Sequence, residues 1–341
     1  MDFHNLLVKN VYSAEAKKLI AYSLLHNNSF AVSKKIKIIP SIKETLFYDV
    51  VELGWGKEYL PFITIEYSDN PSKDNLDFVE SKITNQRSLF VFHLNSDSLD
   101  PSVTVSINHA LADDYTLKIL DDIITEYMYY GSYSKLKKRL ISGQEEYQKY
   151  VDYQSRYREE YYKNKDLQQV FLEPIKFKKA MIWDRNFRWN SLILEMDTLR
   201  KNNSLETILE ILKSEDYVVG DVASVSQNWR KDKYSNALGM MTGLLPYSVS
   251  AKQKLDIATS LELLASCDRA YNEFLSICYE SDLYFSRSMH LIGHFEGRGS
   301  RFRFPVGVTI DSFKRIIQVE GCFCFPEEVR KIFEEIKERE L

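Results

Sequence analysis

The sequence predicts an α+β protein built as two halves with mixed sheets. Strand-like and helix-like runs mix without the regular alternation of a doubly wound parallel fold. The length, 341 residues, corresponds to about two domains at ~150 residues each. Residues 133–168 break the pattern: they are rich in charge and Tyr, and nearly free of Val, Ile and Leu after Ile141. The division between halves is placed there, near 163–175. It gives an N-terminal half of residues 1–165 and a C-terminal half of residues 166–341.

Taken in order, Ala14 to Leu25 carries an apolar stripe at helical spacing. Strand-like runs follow at Lys35 to Ile39, Leu46 to Val51, Pro61 to Tyr67 and, more weakly alternating, Ser88 to Leu94. Val103 to Ile107 is β-rich, with Val103, Val105 and Ile107 on one face, and ends at Asn108-His109. A helix then runs from Asp114 through Tyr129. Beyond it, Tyr147, Tyr150, Tyr153, Tyr157 and Tyr161 recur at three- and four-residue steps and share one helix face. The expectation for that face is packed rings with hydroxyls reaching water, ahead of an aromatic binding platform.

The second half restarts with a strand near Trp189 to Glu195 and a short helix from Ser204 to Leu212, with Ser204 as N-cap. Tyr217 to Val225 reads as a buried strand, followed by the run Ala237 to Val249 and a long helix from Leu255 to Cys278. Phe304 to Ile310 and Ile316 to Phe325 read as strands. Pro326 opens a final amphipathic helix through Ile336.

Composition narrows the function. The chain is 44% hydrophobic and 13% aromatic, enough for a large core and incompatible with wholesale disorder. A net charge of −4, from 45 basic and 49 acidic residues, gives no electrostatic footprint for nucleic acid. No run approaches the ~18 apolar residues of a membrane span. The opening MDFHNLLVKN lacks a basic stretch followed by an apolar core, so no secretory signal is expected. Cys267, Cys278, Cys322 and Cys324 form no CxxC pair and read as buried thiols in a reduced, cytoplasmic compartment.

Chemistry concentrates in residues 106–116, Ser-Ile-Asn-His-Ala-Leu-Ala-Asp-Asp-Tyr-Thr. A β-rich run delivers His109 to a turn, and Asp113 follows at the mouth of a helix. Histidine is suited to take and return a proton near neutral pH. Asp113 can fix the turn by accepting backbone N–H groups or pairing with a cation. Asp113 or Asp114 equally suits a plain N-cap.

Residues 108–114 resemble the HHxxxDG signature of the condensation-domain and chloramphenicol-acetyltransferase superfamily. A second stretch, Gly239 to Val249 (GMMTGLLPYSV), resembles that superfamily's GxFVNTLPxRV strand motif at a similar separation. Tyr217 to Val222 resembles the strand preceding that motif, Glu146 to Tyr157 the helix leading out of the first half, and Ala16 to Asn27 the early helix. The matches run in the family's order.

The resemblance implies two chloramphenicol-acetyltransferase-like halves arranged as a V around a central tunnel. His109 would be the catalytic base or proton-positioning group, and Asp113 would hold the motif loop. Gly239, Gly243, Pro246 and Ser248 would belong to the second motif beside the tunnel. No permanently bound cofactor is implied. The acyl donor would be a thioester on the phosphopantetheine arm of a carrier protein acting in trans, or on coenzyme A. The acceptor would be a small amine or alcohol, and the setting specialised-metabolite, antibiotic-type biosynthesis on the nonribosomal peptide pattern.

Four positions depart from the signature: Asn108 replaces the first His, Asp114 the Gly, Gly243 the Asn and Ser248 the Arg. No Arg occurs before Arg87, so a cation for Asp113 must be a Lys or come from elsewhere. The chain is also short for a condensation domain. Those departures motivate an alternative, a degenerate docking or recruitment protein. His290 and His294 sit four apart, but Gly293 between them and the lack of a third ligand argue against a metal, and none is expected. Gly297 to Arg301 reads as a solvated turn rather than a phosphate cradle. His93 reads as structural, and Trp183, Trp189 and Trp229 as core or tunnel wall rather than a specific site. No Gly-x-Ser-x-Gly elbow, Walker loop or dinucleotide fingerprint is present.

Overall fold

The computed structural model describes residues 12–20 (except 14 and 18), 31–68 (except 41), 88–95, 101–163, 176–177, 190–195, 212, 218–248 (except 221 and 231), 283–287, 306–311, 316–321, 334 and 338. The helix expected at 255–278, all four cysteines, His290, His294, Gly297 to Arg301, Trp183 and Trp189 lie outside the described residues. Of the helices expected at 204–212 and 326–336, only Leu212 and Glu334 are described, and both are helical. The architecture is α+β with mixed sheets, and the chain divides into two compact units. Unit 1 comprises Met1–Arg156 and Trp229–Thr242; unit 2 comprises Tyr157–Asn228 and Gly243–Leu341.

Unit 1 is organised on a four-stranded sheet of β1 (Ala31–Lys37), β2 (Ile63–Ser68), β3 (Phe90–Asn95) and β4 (Ser102–Asn108), in the order β1-β4-β3-β2. β4 runs antiparallel to both neighbours, and β2 runs parallel to β3. Every residue of β3 and β4 is buried, so both faces are covered. That burial explains the weak alternation of 88–94 in sequence. On β4, Val103, Val105 and Ile107 enter the main core, while Ser102, Thr104 and Ser106 are buried on the opposite face. There Ser106 and Ser33 of β1 share a hydroxyl hydrogen bond of 2.6 Å.

One sequence expectation reverses. Leu46 to Val51 is not a strand but part of helix α1 (Thr45–Gly54). Its buried residues, Leu46, Phe47, Val50 and Val51, fall at i, i+1, i+4 and i+5, a helical face that a six-residue apolar run also disguises as β. Phe47 stacks on Phe92 of β3 at 4.7 Å between centroids. Helix α2 (Asp114–Tyr130) packs beside β1 and buries Leu117, Ile119, Leu120, Ile123 and Ile124. It ends at Gly131, whose φ of 64° and N–H bond to the Tyr127 carbonyl make a left-handed C-cap. Helix α3 (Tyr133–Lys163) follows at once. On its tyrosine face the hydroxyls of Tyr147 and Tyr150 bond Ser13 and Glu15 inside unit 1.

Unit 2 contains a six-stranded mixed sheet, β6-β12-β11-β10-β8-β9, and a small β5–β7 pair (Lys176–Phe177, Val218–Val219). The large sheet is formed by β6 (Asn190–Glu195), β8 (Val222–Asn228), β9 (Thr242–Ser248), β10 (Leu283–Arg287), β11 (Val306–Asp311) and β12 (Ile316–Gly321). β10 runs parallel to β8 and β11; β12 runs antiparallel to β11 and β6. The run read as one strand over 217–225 is two, broken at Gly220, whose φ is 85°. Among the described residues, no helix is long and apolar enough to cross a membrane.

Candidate functional site

The loop between β4 and α2 carries the candidate site. Asn108 ends β4 and shapes the turn: its side-chain Oδ1 accepts from the Ala110 N–H at 3.0 Å, and its carbonyl accepts from the Leu111 N–H at 2.8 Å. His109 follows, half-buried, with Nδ1 2.9 Å from the Ala112 carbonyl. A carbonyl only accepts, so this bond requires the proton on Nδ1. In the neutral ring Nε2 then holds the free lone pair. The loop's own backbone thus selects the tautomer a general base needs.

Asp113 is the fixed point beneath that loop. It is buried and caps α2, with Oδ1 accepting from the Thr116 N–H at 3.0 Å. Its second oxygen accepts from Arg230 Nη1 at 2.6 Å, the Met241 N–H at 3.0 Å and the Thr242 hydroxyl at 3.0 Å. Burial alone would raise the Asp113 pKa, but the Arg230 charge and hydrogen bond, with the Thr116 and Met241 N–H groups, hold it below the ordinary carboxylate value. Asp113 therefore stays ionised and acceptor-only. Asp114, next in sequence, is half-buried in the first turn of α2, where an anion suits the helix dipole.

Arg230 is the residue that sequence reasoning missed. It lies 117 positions from Asp113, and both side chains are buried. Its Nη2 lies 2.8 Å from Thr116 Oγ1, 3.0 Å from the Ala237 carbonyl and 2.7 Å from the Gly239 carbonyl. The guanidinium fork thus joins the motif loop to residues 229–242, which pack in unit 1 as a strap. The Thr116 hydroxyl adds to the joint: it accepts from the Gly239 N–H at 3.2 Å and lies 2.8 Å from the Gly239 carbonyl. No local signal in Asn-Trp-Arg-Lys marks Arg230; only the tertiary pairing does.

Other contacts seat the strap. The Leu238 N–H donates to the Gly143 carbonyl of α3 at 3.0 Å, and Glu146 accepts from the Asn236 N–H at 2.9 Å. Ser13 Oγ donates to the Met240 carbonyl at 2.7 Å. Gly239, singled out from sequence, is needed sterically: a Cβ there would lie 2.3 Å from the Tyr147 ring. Of the remaining second-motif residues, Gly243 is buried on β9, which also carries Pro246 and Ser248. The structure thus brings Asn108, His109, Asp113, Asp114 and Gly239 into unit 1, while Gly243, Pro246 and Ser248 belong to unit 2. No group of three metal-ligating side chains occurs among the described residues.

No protein-family model matches the chain, and no curated protein matches it in sequence. Solved structures do. The X-domain in its complex with OxyB from teicoplanin biosynthesis superposes with a TM-score of 0.60 at 10% identity, covering 96% of this chain and 92% of that one. A starter condensation domain of rhizomide synthetase, in complex with C8-CoA, superposes with a TM-score of 0.58 at 10% identity and covers 96% and 93%. The epimerization domain from the third module of tyrocidine synthetase B gives a TM-score of 0.55 at 12% identity, with 96% coverage of both chains. At such identities the likeness is one of fold, and it spans almost the whole of each chain. The chain has the condensation-domain-like fold that these condensation, epimerization and X-domains share.

Proposed function

We propose that the protein is a stand-alone condensation-like acyltransferase with His109 as its proton-transfer group. It would join an acyl or aminoacyl thioester to an amine or hydroxyl acceptor in specialised-metabolite biosynthesis. The observation that carries this reading is the His109 Nδ1 to Ala112 carbonyl contact, which leaves Nε2 able to accept a proton. In the step, the acceptor N or O attacks the thioester carbonyl carbon while Nε2 takes its proton. The new C–N or C–O bond forms; the C–S bond then breaks, and the thiolate leaves with the proton returned by the imidazolium. A positioned base contributes about 10²–10⁴ in rate. The rest would come from holding both substrates in line. The ionised, five-fold hydrogen-bonded Asp113 is ill-suited to exchange protons and serves as the anchor of the loop. The donor would be a carrier-protein arm or coenzyme A; the complex of the rhizomide synthetase domain with C8-CoA supports the coenzyme A form.

A second reading, a docking or recruitment protein, is favoured by the replacements Asn108, Asp114, Gly243 and Ser248 and by the likeness to an X-domain seen in complex with OxyB. One experiment separates the two. His109→Ala is introduced at the native locus, soluble protein is verified as equal, and extracts are compared with wild type and a deletion strain. If acyl transfer is right, the variant matches the deletion and one metabolite disappears. If the deletion loses a metabolite that the variant keeps, the protein acts by binding.

A further inference from the structure

A cavity of about 200 Å³ opens on unit 1 behind the motif loop, and His109 does not line it. Four aromatic residues wall it: Tyr12, Trp55, Tyr59 and Tyr147. Tyr12 and Tyr59 are buried and share a hydroxyl hydrogen bond of 2.7 Å, so their rings hold one another in place. Trp55 is fixed by its indole N–H, which donates to the Leu111 carbonyl at 3.1 Å, and by an edge-on contact with Phe90. The rim is polar and exposed: Glu58, Gln144 and Gln148. Among the described residues, no cationic side chain lines it. The neighbouring Lys57 is paired instead with Glu52, at 3.4 Å.

We infer that this cavity is a site for a small organic ammonium ion. Aromatic faces carry negative potential and attract a cation, the more so where water is thinned. Among the described lining residues Glu58 carries the only formal charge, and Gln144 and Gln148 add side-chain amides at the rim. The volume decides the size class. It lies below the ~300 Å³ of the smallest drug-sized pockets. A four- or five-carbon amine matches that size class.

The ligand would also touch the two parts that the Asp113–Arg230 joint connects. Leu111 of the motif loop and Leu238 of the strap both line the cavity. This inference is independent of the reaction proposed for His109, and it holds or fails without a turnover assay.

The test is calorimetric titration of the full chain at neutral pH with tert-butylammonium chloride and, separately, with tert-butanol, a neutral molecule of the same size. The expected result is saturable one-to-one binding of the cation. The alcohol should bind about 2- to 30-fold more weakly, the span that cation–aromatic attraction supplies. Glu58→Gln should weaken the cation by about 1.4- to 5-fold, as for loss of one exposed charge, with an unchanged unfolding midpoint because the side chain is exposed. Absence of saturable cation binding overturns the inference. So does equal binding of the alcohol, or an unchanged affinity in Glu58→Gln.

Discussion

Arg230 sets the charge balance around Asp113, and both side chains are almost entirely out of water. Removing one partner of a buried pair leaves the other uncompensated, at a cost of about 3–5 kcal/mol. Arg230→Met should lose that much in urea unfolding, and the double variant with Asp113→Asn should recover a substantial part. A single-variant loss below about 1 kcal/mol would show the pair to be dispensable. Because the fold lowers the Asp113 pKa, its stabilisation is complete above the ordinary value of 3.8 and is lost as pH falls. Glu15 has the opposite sign. It is buried against the Tyr150 hydroxyl and the Gln154 amide, and burial, only partly offset by its hydrogen bonds, raises its pKa above 4.5. Its contribution is therefore complete below 4.5 and declines as pH rises through the raised value. Glu15→Gln should flatten that decline and raise the melting temperature more at pH 8 than at pH 4; an equal shift at both would remove the argument. At this scale the sequence identified His109 and Asp113 as chemically suited residues. It could not reveal Arg230, because ion pairing across 117 positions leaves no local pattern.

Elements show the same division between local and tertiary information. β2, β4 and α2 were legible because period-2 and period-3.6 patterns are local properties, whereas β1 begins four residues before the run read at 35–39 and β3, buried on both faces, alternates only weakly. α1 was misread because six apolar-rich residues fit both periods. Within the run read as Ala237 to Val249, the strand begins only at Thr242; residues 237–241 belong to the strap, whose place depends on what it touches. At Gly239 the Tyr147 ring of α3 leaves no room for a Cβ, which would lie 2.3 Å from it. Gly239→Ala should cost about 1–3 kcal/mol by overpacking. If the ring is the cause, combining it with Tyr147→Leu should show favourable coupling above about 0.5 kcal/mol in a double-mutant cycle. Strict additivity would place the fault elsewhere.

For the whole molecule, the division near 163–175 was drawn from a change in composition, which follows the chain linearly. The compact units do not: residues 229–242 lie in unit 1, although the sequence on both sides of them belongs to unit 2. A fragment of residues 1–163 would leave Asp113 without Arg230, Met241 and Thr242. It should show weak, broad thermal unfolding, and a synthetic peptide of residues 229–242 should sharpen and raise the transition in a concentration-dependent way. A fragment that unfolds sharply without the peptide would mean that the strap adds little. The strap also imposes a timetable on biosynthesis. Asp113 leaves the ribosome 117 residues ahead of its counter-charge, a lag of roughly 6–23 s at ~5–20 residues per second. Through that interval the nascent first half holds a carboxylate without its counter-charge, and the loop bearing His109 reaches its final form only once the second half has emerged as far as Thr242.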